Sequence, residues 1–166
     1  MTGRARAAAG SLVFLVVAPG VVAGLVPWLL TGWDADDPSR AAAVAGWVMV
    51  GAGTAVLLSA FARFVLEGIG TPAPVAPTER LVVGGLYRFV RNPMYLAVAA
   101  VIVGQGLVLG RAVLYAYAAL FGVAVWAFVR GYEEPTLARR FGADYEAYRR
   151  AVPGWRPRLR PWRPDD

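Results

Sequence analysis

The sequence predicts an all-α, polytopic membrane protein with about four transmembrane helices, a C-terminal helical hairpin and a cytoplasmic amphipathic helix. The 166 residues are 58% hydrophobic and have a mean hydropathy of +0.50, which is more apolar surface than a soluble core of this size can bury. Charged residues make up 17% of the chain and fall in short segments between long apolar runs. We therefore expect a single membrane domain, residues 1–166, with two transmembrane helices in 1–66 and the rest in 67–166.

Four apolar stretches each approach the roughly 20 residues that a helix needs to cross about 30 Å of hydrocarbon. They run approximately over residues 7–30, 41–62, 94–110 and 112–129. The first follows two arginines, as a signal peptide would, but it is too long for one and is predicted to be a helix. The third and fourth are separated by little more than Gly110 and Arg111, so we expect them to form a tight helical hairpin.

The arginines predict the orientation of the chain in the membrane. Fifteen of them lie in the terminal segments and in the loop between the second and third spans, and two, Arg40 and Arg111, lie in the opposite loops. Because basic residues remain on the cytoplasmic side, we expect a multi-pass protein of the bacterial inner membrane with both termini cytoplasmic. The net charge of +6 then reflects topology and attraction to anionic membrane lipids, and requires no nucleic-acid partner.

The residue types that are missing exclude several kinds of chemistry. The chain has no cysteine and no histidine, which removes disulfides, thiol chemistry and ordinary zinc or haem sites, so no metal is expected. All 17 basic residues are arginine, which also removes Schiff-base catalysis by lysine. Any catalysis must use arginine, carboxylates, tyrosine, amides or the backbone.

The connection between the second and third spans, residues 67–95, has an unusual composition. Three prolines favour an extended chain, and Gly84 and Gly85 allow a close turn. Polar side chains then crowd around Pro93 at the start of the third span; they are Tyr87, Arg88, Arg91, Asn92 and Tyr95. They can anchor a helix among lipid headgroups, or they can form a site where helix amides receive an anion.

The second unusual segment, residues 133–157, predicts an amphipathic helix over about 134–151. Glu133, Glu134 and Pro135 suit a helix N-terminus. One face of the helix is apolar and aromatic: Leu137, Phe141, Tyr145, Tyr148 and Val152. Such a helix can simply lie on the membrane surface. The adjacent carboxylates, however, need a positive partner such as Arg130, another arginine or a cationic ligand.

At these residues the chain resembles the isoprenylcysteine carboxyl methyltransferases and related phospholipid methyltransferases. The resemblance covers roughly residues 70–157 and lies in the order LVVGGLYRFVRNPMY, a two-helix hairpin, and EEPTLARRFGADYEAYRRAVPGW. It implies that residues 67–166 form a methyltransferase-like half, whose cytosol-facing pocket holds S-adenosyl-L-methionine. It also implies a lipophilic small-molecule acceptor that enters from the bilayer.

The resemblance also implies which residues contact the cofactor. By matching position, these are Arg80, Leu81, Val82, Tyr87, Asn92, Pro93, Met94, Tyr95 and Glu133. Glu133 can bind the ammonium group of the cofactor, while Asn92 and Tyr95 can bond its carboxylate, ribose or adenine edge. Neighbours on a helix point about 100° apart, so we expect Glu134 to face Arg88, Arg91 or the helix N-terminus instead.

The predicted catalytic residues, which would act on the acceptor, are Arg130, Glu134 and Arg91. An anionic acceptor would be steered by Arg88, Arg91 or Arg130, and Glu134 or Tyr87 would act as a base only with a shifted pKa. The sequence departs from the family at two places. Asn92 stands where the family usually has histidine, and Val129 holds the register of the family's substrate-side arginine, with Arg130 one residue later.

Two other functions remain open from the residues alone. Sterol reductases resemble the same turn but bind NADPH there, and the Glu133–Glu134 pair would repel its 2′-phosphate. A non-enzymatic membrane protein is the other, in which the small residues Gly46, Gly51, Gly53 and Ala55 serve only helix packing. The sequence also leaves open whether Gln105 faces a substrate tunnel or another helix.

Overall fold

The computed structural model describes Val13, residues 17–63 and residues 80–163, and within these ranges every regular element is helical. The five main helices are α1 (Val17–Thr31), α2 (Arg40–Arg63), α3 (Pro93–Leu109), α4 (Val113–Phe128) and α5 (Glu134–Ala151). The predicted start of the first span and the proline-rich part of the linker lie outside the described residues. The all-α prediction is confirmed for the described part of the chain.

The apolar helices begin and end close to the predicted boundaries. The observed bounds of α2, α3 and α4 each differ from the predicted spans by one residue. By length and composition, two helical runs can cross a membrane: α2, with 24 residues, and the 39-residue run Val113–Ala151. α1 and α3 are shorter apolar helices. Charges begin at Arg130, so the apolar part of the long run ends at about Phe128.

The predicted C-terminal helix is confirmed in its bounds, Glu134–Ala151, but the interpretation of Glu133 and Glu134 as a free helix N-terminus is wrong, because the chain arrives there already helical. A π-helical turn, Val129–Glu133, joins α4 directly to α5. The turn ends just before Pro135, which has no N–H and whose ring disfavours a regular α-helical turn preceding it. The wider π turn accommodates this proline, so the carboxylates lie on a continuous helix and do not cap a free end.

Glycines bring α2 and α3 into close contact. A Cβ atom built on Gly46 would lie 2.5 Å from the Gly104 carbonyl oxygen, and one built on Gly53 would lie 2.9 Å from the Ala97 carbonyl oxygen. Small residues permit such close approach between apolar helices. Gly51, which the sequence also suggested for packing, has nothing within 4 Å of the same position.

Polar side chains of α3 and α4 hold α1 in place. The Gln105 amide donates a hydrogen bond to the Ala23 carbonyl (2.7 Å), and the Tyr117 hydroxyl donates one to the Val22 carbonyl (2.8 Å). Both acceptors lie in a π-helical turn, Val21–Leu25, where irregular backbone needs extra partners. Gln105 therefore faces another helix, which answers the question that the sequence left open.

The predicted aromatic face of α5 packs against residues 81–83, which lie in no regular element. Tyr145, Tyr148 and Val152 are buried in one cluster, joined by Leu81, Val83, Leu137 and Phe141. Val82 points the other way, toward Ala60 and Tyr87, as alternation along an extended chain requires. α5 is interrupted at Gly142, whose φ of 51° lies in the left-handed region that glycine tolerates.

The close contact between α2 and α3 can be tested with a matched pair of glycine substitutions. Gly53→Ala should lower the free energy of unfolding by about 1–3 kcal/mol, because the new methyl group meets backbone atoms of α3. Gly51→Ala should leave it unchanged or raise it by about 0.5–1 kcal/mol through helix propensity. Thermal unfolding in detergent measures both, and equal effects of the two changes would contradict this packing.

Candidate functional site

The polar residues of the two unusual segments meet where α3 begins and α4 passes into α5. A 3₁₀ turn, Gly85–Arg88, brings the chain to α3, whose N-cap is Asn92 and whose first residue is Pro93. Gly85 has φ +57°, and a Cβ atom there would lie 2.7 Å from Arg63 Nε. The positive φ and the nearby Arg63 side chain favour glycine in this turn, which leads the chain toward Arg91 and the start of α3.

Arg91 is the centre of the hydrogen-bond network. Its Nη1 donates to Glu134 Oε1 at 2.8 Å and to the Tyr145 hydroxyl at 3.0 Å, and its Nε donates to the Val152 carbonyl at 2.9 Å. The side chains of Arg91 and Glu134 are only 13% and 9% exposed. Arg149 lies 3.7 Å from the other oxygen of Glu134. Of the partners predicted for Glu134, which were Arg88, Arg91 and the helix N-terminus, Arg91 is the one that binds it in the structure.

Glu133 faces a different partner from its neighbour. Its Oε2 accepts a hydrogen bond from the Tyr95 hydroxyl at 2.9 Å. Burial raises the pKa of Glu133 and the neighbouring Glu134 raises it further, while the Tyr95 hydrogen bond and Arg91 lower it. A carboxylate that is costly to ionise in this position would be stabilised by a cationic ligand.

The aromatic and apolar residues that the resemblance assigned to the cofactor are mostly packed. The Tyr87 carbonyl accepts a hydrogen bond from the Tyr148 hydroxyl at 2.6 Å, and burial raises the pKa of the Tyr87 phenol well above its usual range. The side chains of Leu81 and Val82 belong to the two adjoining clusters. The Val82 side chain is buried, whereas that of Leu81 is only partly buried.

Two of the predicted arginines do not join the network. Arg80 and Arg130 are exposed, and within the described residues neither has a hydrogen bond or an ion pair. Pro93 is buried as the first residue of α3, and Met94 packs against the apolar clusters on either side. The structure therefore brings together five of the predicted site residues: Arg91, Asn92, Tyr95, Glu133 and Glu134.

The family model for phospholipid methyltransferase matches residues 41–144, which include α2 to α4, the π turn and the start of α5. The chain belongs to this family. Membership confirms the resemblance seen in the sequence and indicates methyltransferase activity at a membrane. No match to the chain was found among curated proteins or among solved structures.

Residues beyond the part matched by the phospholipid methyltransferase family complete the site. Pro153 and Trp155 lie in the segment that carries the resemblance but were given no role there, and Arg158 lies outside it. The Arg91 backbone N–H donates to the Pro153 carbonyl at 2.9 Å, and the Arg158 N–H donates to the Phe89 carbonyl at 2.9 Å. The Trp155 ring lies 6.4 Å from the Tyr95 ring, centroid to centroid. The prolines and tryptophans of this segment do not identify which residues it contacts.

S-adenosylmethionine is the methyl donor that family membership implies, and the residues present fit its charged end. Within the described part of the chain, Asn92 Nδ2 is buried and has no hydrogen-bond partner. A Cβ atom on Gly154 would lie 3.4 Å from this nitrogen and 3.2 Å from Arg91 Nη2. Two donors that can take an anion thus lie beside a residue without a side chain, while Glu133 can accept a cation.

The Arg91 network predicts a large effect of a substitution that keeps the charge. Arg91→Lys should lower the free energy of unfolding by about 1.5–3 kcal/mol, because one ammonium group cannot replace bonds to Glu134, Tyr145 and Val152 together. Arg156→Lys changes an exposed arginine and should leave stability unchanged. Thermal unfolding of both variants in detergent tests this, and equal stabilities would contradict the role of Arg91.

Proposed function

We propose that this chain transfers a methyl group from S-adenosylmethionine to a lipophilic acceptor that enters from the bilayer. The acceptor would be an isoprenoid carboxylate, a phospholipid or a similar small amphiphile. The observation that carries the proposal is that a group able to bind a cation and a group able to bind an anion both lie near the start of α3. Glu133 offers a partly buried carboxylate, and Asn92 Nδ2 offers a buried donor without a partner among the described residues.

Each part of this arrangement suits one end of the amino-acid moiety of the donor. Glu133, oriented by the Tyr95 hydroxyl, would bind the ammonium group through charge-assisted hydrogen bonds. Asn92 Nδ2, next to Arg91 and Gly154, would bind the carboxylate. When bound, S-adenosylmethionine supplies an electrophilic methyl group on a sulfonium. The residues of the chain contribute by holding donor and acceptor in line, and such alignment lowers the barrier by several kcal/mol.

The side chains near the site favour an acceptor that is already anionic. Tyr87 keeps its proton at neutral pH, because burial raises the pKa of its phenol. Glu134 is committed to Arg91 and Arg149, and the chain contains no histidine. A carboxylate acceptor needs no protein base. Arg130, exposed on the turn before Glu133, would then steer the acceptor toward the site by its charge.

We further propose that α1 to α4 are four membrane spans in a bacterial inner membrane, with both termini in the cytoplasm. The apolar composition of the four helices and the distribution of arginine support this topology. α3 and α4, joined by three residues, would form the tight hairpin. The site at the start of α3 would then face the cytoplasm, where the methyl donor is made and used.

The two adjacent glutamates should separate cofactor affinity from stability. Glu133→Gln should weaken S-adenosylhomocysteine binding about ten- to a hundred-fold, because a charge-assisted bond worth roughly 1.5–3 kcal/mol is lost. The same change should not destabilise the ligand-free protein. The pKa of Glu133 is raised by folding, so its ionised form opposes folding at neutral pH, and glutamine removes that cost.

Glu134→Gln is the matched control, because it removes the partner of the buried Arg91 guanidinium. It should lower the unfolding temperature and change affinity little. Calorimetric titration of S-adenosylhomocysteine and thermal unfolding, measured on the same detergent-solubilised samples, distinguish the two. An affinity loss that fell on Glu134→Gln, with Glu133→Gln binding normally, would reverse the assigned roles.

The topology can be tested with single cysteines, because the chain contains none. A cysteine replacing Asp36, in the loop between α1 and α2, should react with a membrane-impermeant maleimide added outside the cytoplasmic membrane. A cysteine replacing Arg156 should react only after the membrane is permeabilised. Labelling of position 36 from the cytoplasmic side would overturn the proposed orientation.

A further inference from the structure

A pocket of about 460 Å³ lies beside the end of α2 and shares no described lining residue with the cofactor site predicted above. Its described lining comes from three separate parts of the chain: Ser59, Arg63, Gly85, Leu86, Arg88, Phe89 and Pro161. The volume is in the range of pockets that hold small organic ligands. The pocket therefore has room for a group the size of a lipid headgroup.

Two arginines give this pocket a preference for anions. Arg63 and Arg88 both line it, and no carboxylate is among the lining residues that the structure describes. Arginine forms strong, paired hydrogen bonds with phosphate oxygens. Ser59, one helical turn before Arg63, also lines the pocket, but its hydroxyl donates to the Val56 carbonyl at 2.9 Å, so the arginines are the groups that would bind an anion.

Arg88 is held in place by the C-terminal segment. Its Nε donates to the Trp162 carbonyl at 2.7 Å, and its own carbonyl accepts from the Trp162 N–H at 3.0 Å. Arg88 forms no ion pair within the described ranges, and none of its hydrogen bonds there uses the two terminal nitrogens. A guanidinium fixed through Nε, with both Nη groups available, is preorganised to bind an anion.

The position of the pocket and its apolar lining indicate which class of molecule supplies the anion. Arg63 is the last residue of a helix long enough to cross the membrane, so the pocket would lie at headgroup depth. Leu86, Phe89 and Pro161 supply apolar surface next to the arginines. Basic pockets between helices at this depth are suited to acidic lipid headgroups.

We propose that this pocket binds the phosphate ester of a membrane lipid, at a site that shares no described residue with the proposed methyl-donor site. The phosphate lies between Arg63 and Arg88, and the glycerol backbone of the lipid contacts Leu86 and Phe89. The bound lipid joins the end of α2 to the turn Gly85–Arg88 that precedes the cofactor site. This proposal rests on α2 crossing the bilayer and does not depend on which methyl donor the chain uses.

The test is a calorimetric titration of the full, detergent-solubilised chain with three probes. These are dihexanoyl-phosphatidylglycerol, dihexanoylglycerol and inorganic phosphate. The phosphatidylglycerol should bind, and the diacylglycerol, which lacks phosphate, should bind at least ten-fold more weakly. Arg88→Gln and Arg63→Gln should each weaken phosphatidylglycerol binding about ten-fold, the loss expected when a charge-assisted contact is removed. Arg156→Gln, an exposed arginine of the same charge, should bind as the unchanged protein does.

Each outcome decides the proposal. Equal binding of diacylglycerol and phosphatidylglycerol, or equal losses in Arg156→Gln and Arg88→Gln, would overturn it. Inorganic phosphate that displaces the lipid with similar affinity, and loses affinity in both arginine variants, would support the site and assign free phosphate as its ligand. Unfolding temperatures show whether each variant folds. If Arg88→Gln fails to fold, the proposal is judged on Arg63→Gln, because that change leaves the hydrogen bonds between Arg88 and Trp162 intact. Absence of S-adenosylhomocysteine binding with normal lipid binding would count only against the methyltransferase proposal.

Discussion

The guanidinium of Arg91 joins three parts of the chain that are far apart in sequence, and the site depends on this connection. Through Glu134 it fixes the start of α5, through Tyr145 the middle of that helix, and through Val152 the segment that follows. The charges are largely shielded from water, so each bond is strong and each missing partner would be costly. Because Glu134 is paired in this way, Glu133 is left to accept the hydrogen bond from Tyr95. One ion pair thus gives two adjacent carboxylates different roles.

The parts of the fold that the sequence predicted well are those determined by local composition. The ends of α2, α3 and α4 follow from where apolar residues stop, because an apolar helix ends where charge and glycine begin. The buried face of α5 follows from the spacing of Leu137, Phe141, Tyr145 and Tyr148 along one helix. Family resemblance, in turn, pointed to the residues around Pro93 and Glu133. The structure brings five of these together where α3 begins and α4 passes into α5.

The features that the sequence did not predict depend on contacts between distant residues or on backbone irregularity. A π turn replaces the expected helix start before Glu134, because proline was interpreted as a beginning and not as an interruption. Gly142 breaks α5 without any change in its apolar periodicity. Residues 152–162 pair with residues 88–91 through backbone hydrogen bonds and through the Arg88 and Arg91 side chains, whose acceptors are backbone carbonyls. Because every residue carries a backbone carbonyl, the pattern of side chains does not identify which residues these arginines bind.

The contact between Arg91 and the C-terminal segment has a consequence for how the protein is made. Arg91 and the Val152 carbonyl that it binds are separated by 61 positions in the chain, and the Pro153 carbonyl follows directly. In the proposed topology, α3 enters the bilayer before the residues that carry these acceptors have joined it. Until then, the Arg91 side chain can be solvated only by water and lipid headgroups at the membrane surface. Insertion of the apolar helices and completion of the network around Arg91 are then separate steps, and a chain truncated after α4 would lack every acceptor that holds this arginine in place.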